Sequence, residues 1–466
     1  MSRSSMVISS ARSVSRDQFS LLHVSRSKAS APAHNSLGLC HGTMNEIASG
    51  PGLQHQRLNN GCRTVCAEMP DADLTCLDFW CRGGSTWEGH GEEGLAHFLE
   101  HMVFKGSETL QAGEFDRRIE ALGGSSNAAT GFDDVHFHVL VPSNCAQNAL
   151  DLLLDLVLNP ALREDAYGME RDVVLEEIAQ YRDQPDEQVF QTLLSKGFGQ
   201  HPYGRPILGW EQSLINSTPE GMRQFHNRRY RGPNCCLAIS GAVTSSVLEQ
   251  IHSSRLTELE GSLDPEDEIA SSSSSLAFQS GRQTLRFPRL EAARLLMAWP
   301  MAAANDQYSV MGADLATTLL AEGRRSRLVQ RLREDLQIVE SIDMDVTVME
   351  QGSVVMLEAC CPEDQIEQVE AVIEEELKRV TVDAIADDEL HRAKQLVGNG
   401  LRFSLEAPGS VAAIAGSQSL WGRTQTLLSP LSHLQTWTAE RLQQSLLTRL
   451  QPNQAFTLLA LPEDSE

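Results

Sequence analysis

The part of the sequence with the clearest chemical potential is a run of five residues that contains His97, Glu100 and His101. Apolar residues at 95, 98, 99 and 102 recur with helical spacing, so the run is predicted to be helical. Positions i, i+3 and i+4 share one helix face, which brings the three polar side chains together. Two imidazoles one turn apart can bind one Zn²⁺, and the glutamate between them can accept a proton from a water activated by the metal.

A catalytic zinc needs a third protein ligand and keeps its fourth position for water. A second predicted helix offers three carboxylates, Glu170, Glu176 and Glu177. Glu170 and Glu177 are two helical turns apart and project from nearly the same face, whereas Glu176 is rotated by about 100°. From periodicity alone, either Glu176 or Glu177 could be the ligand. The alternative to a metal site is two surface histidines beside a glutamate on an amphipathic helix.

The chain divides into four segments by composition. Residues 1–43 are rich in Ser and Arg with one acid, Asp17, which is typical of a transit peptide, a disordered extension or a mis-assigned start. Residues 258–283 combine clustered acids with a Ser homopolymer and are predicted to be a linker. These segments leave an N-terminal domain at 44–257 and a C-terminal domain at 284–466.

The two domains are predicted to be degenerate copies of one unit. A strand-like segment that ends at Pro142 has a counterpart that ends at Pro362, and helical patterns follow at 144–158 and 364–380. Strands grouped in hairpins with helices in blocks favour an α+β fold, in which each domain is a mostly antiparallel sheet with helices packed on it.

Composition limits the possible partners. The 466 residues carry a formal net charge of −25, which makes a nucleic-acid or anionic-membrane partner unfavourable. No run approaches the roughly 18 apolar residues that a transmembrane segment requires. The ten cysteines contain no CxxC pair and are expected to be buried free thiols.

Several ordered motifs give the chain a family resemblance from about Leu58 onward. H-x-x-E-H is the inverted zincin pattern, and the run His97–Gly106 has the sequence HFLEHMVFKG. Around it lie further matching motifs at 58–61, 83–88, 123–133, 201–204 and 209. The chain resembles the M16 (pitrilysin/insulinase) metallopeptidases, particularly their short, two-domain processing-peptidase branch, which implies a metallohydrolase fold of the mitochondrial-processing-peptidase type.

The resemblance assigns a role to each matching residue. His97 and His101 correspond to zinc ligands for one Zn²⁺ per chain, and Glu100 corresponds to the general base. Glu177 matches the distal ligand in preference to Glu176, and Glu170 matches a carboxylate that supports the site. Substrate-binding positions are expected at three residues: Asn127 and Ala128 on a strand to which a peptide adds, and Arg333 in the second domain.

The second domain departs from the metal-binding pattern. At the repeat offset, Thr317, Leu320 and Ala321 replace the two histidines and the glutamate, so no metal site is expected there. Some members of the family pair the arginine with a tyrosine seven residues later, but this position is Glu340. We therefore expect a homodimer or, in preference, a heterodimer with a related subunit that lacks the metal.

The resemblance implies a zinc endopeptidase that cleaves extended or unfolded peptides, with basic ones favoured by the acidic chain. The competing hypotheses are a non-catalytic subunit of the same fold within a heteromeric complex and a structural zinc protein. A bacterial-type cytoplasmic location is expected, with a mitochondrion or plastid as the alternative if residues 1–43 are a transit peptide.

Overall fold

A computed structural model of the chain describes residues 50–262 and 276–463. The expected leader, 1–43, lies outside the described residues, as do residues 263–275 of the expected linker. At the end of that linker, Gln279 donates from its backbone N–H to Gly197 O at 2.7 Å, and a strand begins at Gly281.

The first half of the chain forms a six-stranded sheet in the order β1-β2-β6-β3-β5-β4. The pairing is antiparallel except between β2 and β6. Alternating side chains explain the strands: in VHFHVLVP the residues Val135, Phe137, Val139 and Val141 all enter the core. The strands are β1 Leu53–Arg57, β2 Arg63–Glu68, β3 Leu74–Cys81, β4 Ser125–Thr130, β5 Val135–Pro142 and β6 Cys235–Gly241.

Helices cover the face of this sheet that carries Leu77, Phe79 and Phe137. The helices of the first half are α1 Leu95–Val103, α2 Glu114–Ala121, α3 Ala146–Leu158, α4 Glu164–Asp183, α5 Pro185–Phe198, α6 Glu211–Asn216, α7 Pro219–Arg229 and α8 Ser245–Ile251. The predicted helices at 95–102 and 144–158 correspond to α1 and α3.

The second half forms a five-stranded sheet in the order β7-β11-β8-β10-β9. Its strands are β7 Gly281–Phe287, β8 Ala293–Pro300, β9 Ser341–Thr347, β10 Val354–Cys361 and β11 Phe456–Pro462. Its helices are α9 Gln307–Ala321, a π-helix Val329–Asp335, α10 Ile366–Arg379, α11 Asp387–Phe403, α12 Pro408–Leu420, α13 Ser429–Thr436, α14 Ala439–Leu442 and a second π-helix Gln443–Leu447.

The two sheets share one topology, which confirms the α+β fold. Without β1, the order β2-β6-β3-β5-β4 corresponds strand for strand to β7-β11-β8-β10-β9, and each sheet has one parallel pair at the corresponding position. The expected strands that end near Pro142 and Pro362 are the equivalent strands β5 and β10.

Each half contributes a helix to the sheet of the other half. Helix α5 places Val189, Leu193 and Phe198 against the second sheet, in one apolar cluster with Leu296 and Leu458. In return, α12 packs on the first sheet. Both helices begin with a proline, whose fixed φ suits the first helical position. The two halves are therefore held together by exchanged apolar surface.

A buried polar cluster joins the halves near the middle of the molecule. Asp133 accepts hydrogen bonds from the Tyr203 hydroxyl and from the backbone N–H of Glu350, both at 2.7 Å. The Tyr203 oxygen also accepts from the backbone N–H of Gln351 at 3.1 Å, and Arg82 forms an ion pair with Glu350. This cluster fixes the loop 349–351 of the second half against the first.

Two expectations concern the described residues as a whole. Within residues 50–262 and 276–463, no helix is both long and apolar enough to cross a membrane. The cysteines in these ranges are free thiols, and all but Cys145 are buried, which confirms the prediction for that part of the chain.

Candidate metal centre

The helix that carries the two histidines has its first turn fixed by the surrounding chain. The buried Glu88 carboxyl group accepts a hydrogen bond from Ala96 N at 2.8 Å, which satisfies one of the free N–H groups at the start of α1. Gly94 precedes the helix with φ 94°, a conformation that glycine adopts without strain. A Cβ at Gly94 would overlap Leu208 O, so the backbone of 208–209 packs directly on the helix start.

The predicted ligands of α1 and α4 converge on one point. Glu177 Oε2 lies 3.8 Å from His97 Nε2 and 3.6 Å from His101 Nε2. One ligand atom from each of the three residues lies within 4.8 Å of the other two. Two imidazole nitrogens and one carboxylate oxygen are the donor types that catalytic zinc sites use, so the residues fit a zinc ion.

Glu170 holds the outer side of His101. Its Oε1 lies 2.9 Å from His101 Nδ1, and its Oε2 lies 2.6 Å from Lys105 Nζ. Because His101 Nδ1–H donates to Glu170, the other ring nitrogen, Nε2, faces Glu177 and is left to bind a metal. Burial would lower the pKa of His101, but the Glu170 hydrogen bond and the neighbouring carboxylates raise it above its ordinary value.

Glu100 sits beside the ligand cluster without belonging to it. It is half-buried, and its Oε2 accepts a hydrogen bond from the Thr130 hydroxyl at the end of β4. Burial raises the pKa of Glu100, and the Thr130 hydrogen bond opposes that shift. A carboxylate with a raised pKa is suited to accept and return a proton near neutral pH.

The expected substrate strand lies at the edge of the first sheet. Strand β4 pairs with β5, where Asn127 faces His138 and Ala128 faces Phe137. It is the terminal strand of that sheet among the described residues. Asn127 is exposed and Ala128 is half-buried, so this edge is open to an added strand.

A cavity of about 530 Å³ opens beside His97 and Glu177. Its wall is largely apolar, with charged groups Arg182 and Glu187 among its lining residues. The apolar lining includes Phe132, Ile178, Phe190, Ile207, Leu208 and Trp210. The cavity has the size and lining of a site for a substrate side chain.

The residues singled out in the second half lie apart from this cavity. Thr317, Leu320 and Ala321 are buried in α9 and offer no histidine or carboxylate donor. Arg333 donates to its neighbour Glu334, with its Nε at 3.1 Å and its Nη2 at 3.0 Å from Oε1. Among the residues that the structure describes, the lining of the cavity does not include Arg333.

One buried polar group of the first sheet was not predicted from the sequence. Asp78 is buried in β3, and its Oδ1 lies 3.0 Å from His136 Nδ1 on β5. The available signal was an acid in the centre of the apolar strand LTCLDFWC, because a buried acid needs a partner.

Comparison with known proteins places this geometry in a family. The model of the insulinase family, peptidase family M16, matches residues 63–211 and includes the H-x-x-E-H helix. The model of the peptidase M16 inactive domain matches residues 216–397. Together they cover most of the chain in sequence order.

Relatives of similar length are named as zinc proteases. An "uncharacterized zinc protease" of Mycobacterium leprae is 28% identical over 419 residues, which are 89% of this chain and 90% of the relative. Another "uncharacterized zinc protease", from Bacillus subtilis, is 27% identical over 390 residues, 84% of this chain and 93% of the relative.

Solved structures share the fold. A protease from Helicobacter pylori superposes with a TM-score of 0.78 at 22% identity and covers 89% of this chain and 100% of its own. A peptidase M16 inactive domain from Pseudomonas fluorescens gives a TM-score of 0.78 at 17% identity, over 89% and 99% of the two chains. Two family models match successive parts of the chain, and its relatives are named as zinc proteases. The chain therefore belongs to the insulinase family of zinc metallopeptidases, M16.

Proposed function

We propose that the protein is a zinc-dependent endopeptidase of the processing-peptidase type, which cleaves extended or unfolded peptides. The observation that carries the proposal is the convergence of His97, His101 and Glu177 beside a half-buried Glu100 that is not needed as a ligand. His97, His101 and Glu177 would hold one Zn²⁺ per chain. When bound there, the ion supplies a Lewis acid that polarises a peptide carbonyl and lowers the pKa of a water to about 7.

The side chains of this chain carry the proton and position the substrate. Glu100 removes a proton from the attacking water and delivers it to the leaving amine, since its raised pKa suits both transfers. The Thr130 hydroxyl holds one Glu100 oxygen in place and ties it to the substrate strand. The peptide adds to the free edge of β4 near Asn127 and Ala128, and the cavity beside His97 takes a side chain.

The charge of the chain supports a preference for basic peptides. Residues 1–43 hold five basic residues and one acid, which leaves a net charge of −29 on the rest of the chain. An acidic surface raises the local concentration of a cationic peptide and its association rate. We expect basic peptides to be cleaved at a higher kcat/KM than acidic peptides of equal length, with the difference shrinking at high salt.

The second half is proposed to close over the metal centre, and a partner subunit is proposed to complete substrate binding. Arg333 is engaged by Glu334, and Glu340 stands where a hydroxyl donor was expected, so a related subunit without metal ligands would supply the missing contacts. A homodimer is the second possibility. We propose a bacterial-type cytoplasmic location, in keeping with the bacterial relatives, which N-terminal sequencing of the mature protein would test.

The experiment measures zinc content and cleavage of an unstructured basic peptide by the purified full chain. Glu100→Gln is expected to retain zinc and to lose about 10²- to 10⁴-fold in kcat. Glu177→Gln is expected to lose zinc and activity together, whereas Glu176→Gln, on the exposed side of the same helix, is expected to keep both.

Two results would contradict the proposal. Unchanged turnover in zinc-loaded Glu100→Gln would show that Glu100 is not the general base. A chain that binds zinc but cleaves no peptide, alone or with a related subunit, would identify a non-catalytic member of the family.

A further inference from the structure

A second cluster of metal-binding side chains lies outside the zinc centre, on strands β3 and β5. It consists of Asp78, His136 and His138, and one ligand atom from each lies within 4.8 Å of the other two. None of these residues belongs to the centre formed by α1 and α4. Within the described residues, three potential ligand side chains approach one another this closely in this cluster and in the His97–His101–Glu177 group.

The cluster follows directly from strand geometry. Successive side chains of a strand point to opposite faces, so His136 and His138 project from the same face of β5. Asp78 is the direct antiparallel partner of His138, and directly opposed side chains start about 5 Å apart. A histidine-x-histidine pair with a carboxylate from the neighbouring strand is a two-histidine, one-carboxylate donor set.

The cluster occupies the opposite sheet face from the zinc helix. Phe79 and Phe137 pack toward α1, so Asp78 and Trp80, with the reverse alternation, face the side that α12 covers. The His136 ring stacks on Trp80 with centroids 4.2 Å apart and a 15° interplanar angle. His136 and His138 stack at 5.6 Å and 20°. The three rings form a column that holds the imidazoles in fixed orientations.

The contact between Asp78 and His136 has suitable dimensions for a shared cation. Asp78 Oδ1 and His136 Nδ1 are 3.0 Å apart, with Asp78 only 1% exposed. A cation bound by both atoms at about 2.0–2.2 Å would subtend an angle of about 90° between them, as in octahedral coordination. Such a cation would displace the proton that the two atoms share, and this proton would leave to solvent.

We propose that Asp78, His136 and His138 form a second metal site, for a divalent first-row transition-metal ion with octahedral preference. His138 is half-buried rather than buried, which leaves a side of the site from which the ion and its waters enter. The alternative is a metal-free ion pair of Asp78 with His136, in which His138 has no ligand role.

The test counts bound Co²⁺ in the purified full chain after removal of metal and dialysis against excess Co²⁺. Wild type is expected to hold two ions per chain, His138→Gln one, His101→Gln one, and the double variant fewer than 0.2. His252→Gln removes an exposed histidine and is expected to keep two.

The proposal is overturned if wild type holds one ion per chain, or if His138→Gln leaves the count of bound ions unchanged. If His138→Gln fails to fold, the His101→Gln variant tests the second site instead, because it removes the zinc centre and leaves β5 unchanged. Its unfolding temperature is expected to rise with Co²⁺, and an unchanged temperature with no ion bound refutes the site. A wild-type count of one that His101→Gln abolishes leaves the zinc-peptidase proposal standing and removes only this one.

Discussion

His101 Nδ1 lies 2.9 Å from Glu170 Oε1, and this contact fixes the orientation of the imidazole that faces Glu177. The second Glu170 oxygen is held by Lys105 at 2.6 Å, so the carboxylate cannot turn away without losing an ion pair. The contact links α1 to α4 directly beside the proposed metal ligands, since the same imidazole faces Glu177 with its other nitrogen.

The first prediction follows from this contact. Glu170→Gln removes the charge that stabilises the proton on His101 Nδ1, and we expect zinc affinity to fall about 10- to 100-fold. Competition with a chelator of known affinity measures the change. Glu176→Gln, one residue before the proposed ligand and exposed, is the matched control and should retain wild-type affinity. Equal zinc affinities of the two variants would show that Glu170 does not support the metal site.

A second prediction concerns the start of the zinc helix. Gly94 and Gly113 both precede a helix with positive φ, at 94° and 71°, but only a Cβ at Gly94 would overlap a backbone carbonyl, that of Leu208. Gly113→Ala should therefore cost about 1 kcal/mol of unfolding free energy from conformational strain alone. Gly94→Ala should cost more than twice as much and also weaken zinc binding, because the first turn of α1 must shift.

Urea unfolding and zinc titration of the two glycine variants provide the measurement. A loss in Gly94→Ala no larger than that in Gly113→Ala would show that the backbone contact with 208–209 relaxes without moving the helix.

A third prediction uses the buried carboxyl that caps the zinc helix. Burial raises the pKa of Glu88 to about 8, whereas a glutamate in an unfolded chain titrates near 4.3. Between about pH 4.3 and 8 the native state therefore holds a proton that the unfolded state has released. Stability must fall as the pH rises through this window, by up to about 1.4 kcal/mol per pH unit for this one group.

Glu88→Gln isolates this contribution, because the amide keeps an acceptor for Ala96 N and does not titrate. We expect its unfolding free energy, measured with chelator at pH 5 and pH 8, to decline less than that of wild type. The exposed Glu108→Gln serves as control and should decline as wild type does. Parallel declines in all three proteins would show that Glu88 is ionised in the native state.

The fourth prediction concerns the junction of the halves. Tyr203→Phe deprives Asp133 of a donor and the Gln351 N–H of an acceptor. Loss of a partner for buried polar groups should lower the unfolding free energy by about 1–3 kcal/mol. Tyr167→Phe, which removes a hydroxyl bonded to Ser217 within the first half, is the control for loss of one internal hydrogen bond. A smaller effect at Tyr203 than at Tyr167 would contradict the role of the junction.

Features that depend on local spacing could be predicted from the sequence. His97, Glu100 and His101 share a face because one helical turn separates them, and this holds for any tertiary arrangement. The repeat and the α+β class could also be predicted, because an apolar strand followed by a helical pattern occurs once in each half, at β5 and at β10.

Which distant groups come together depends on the tertiary packing. Periodicity allowed Glu176 or Glu177 as the third ligand, and the packing of α4 on α1 brings Glu177 to the histidines and leaves Glu176 exposed. The exchange of α5 and α12 could not be inferred, because an apolar helix face does not specify which sheet it will cover. Asp78 meets His136, 58 residues away, because the register between β3 and β5 places them together. The spacing of residues within either strand does not show that the two strands will pair.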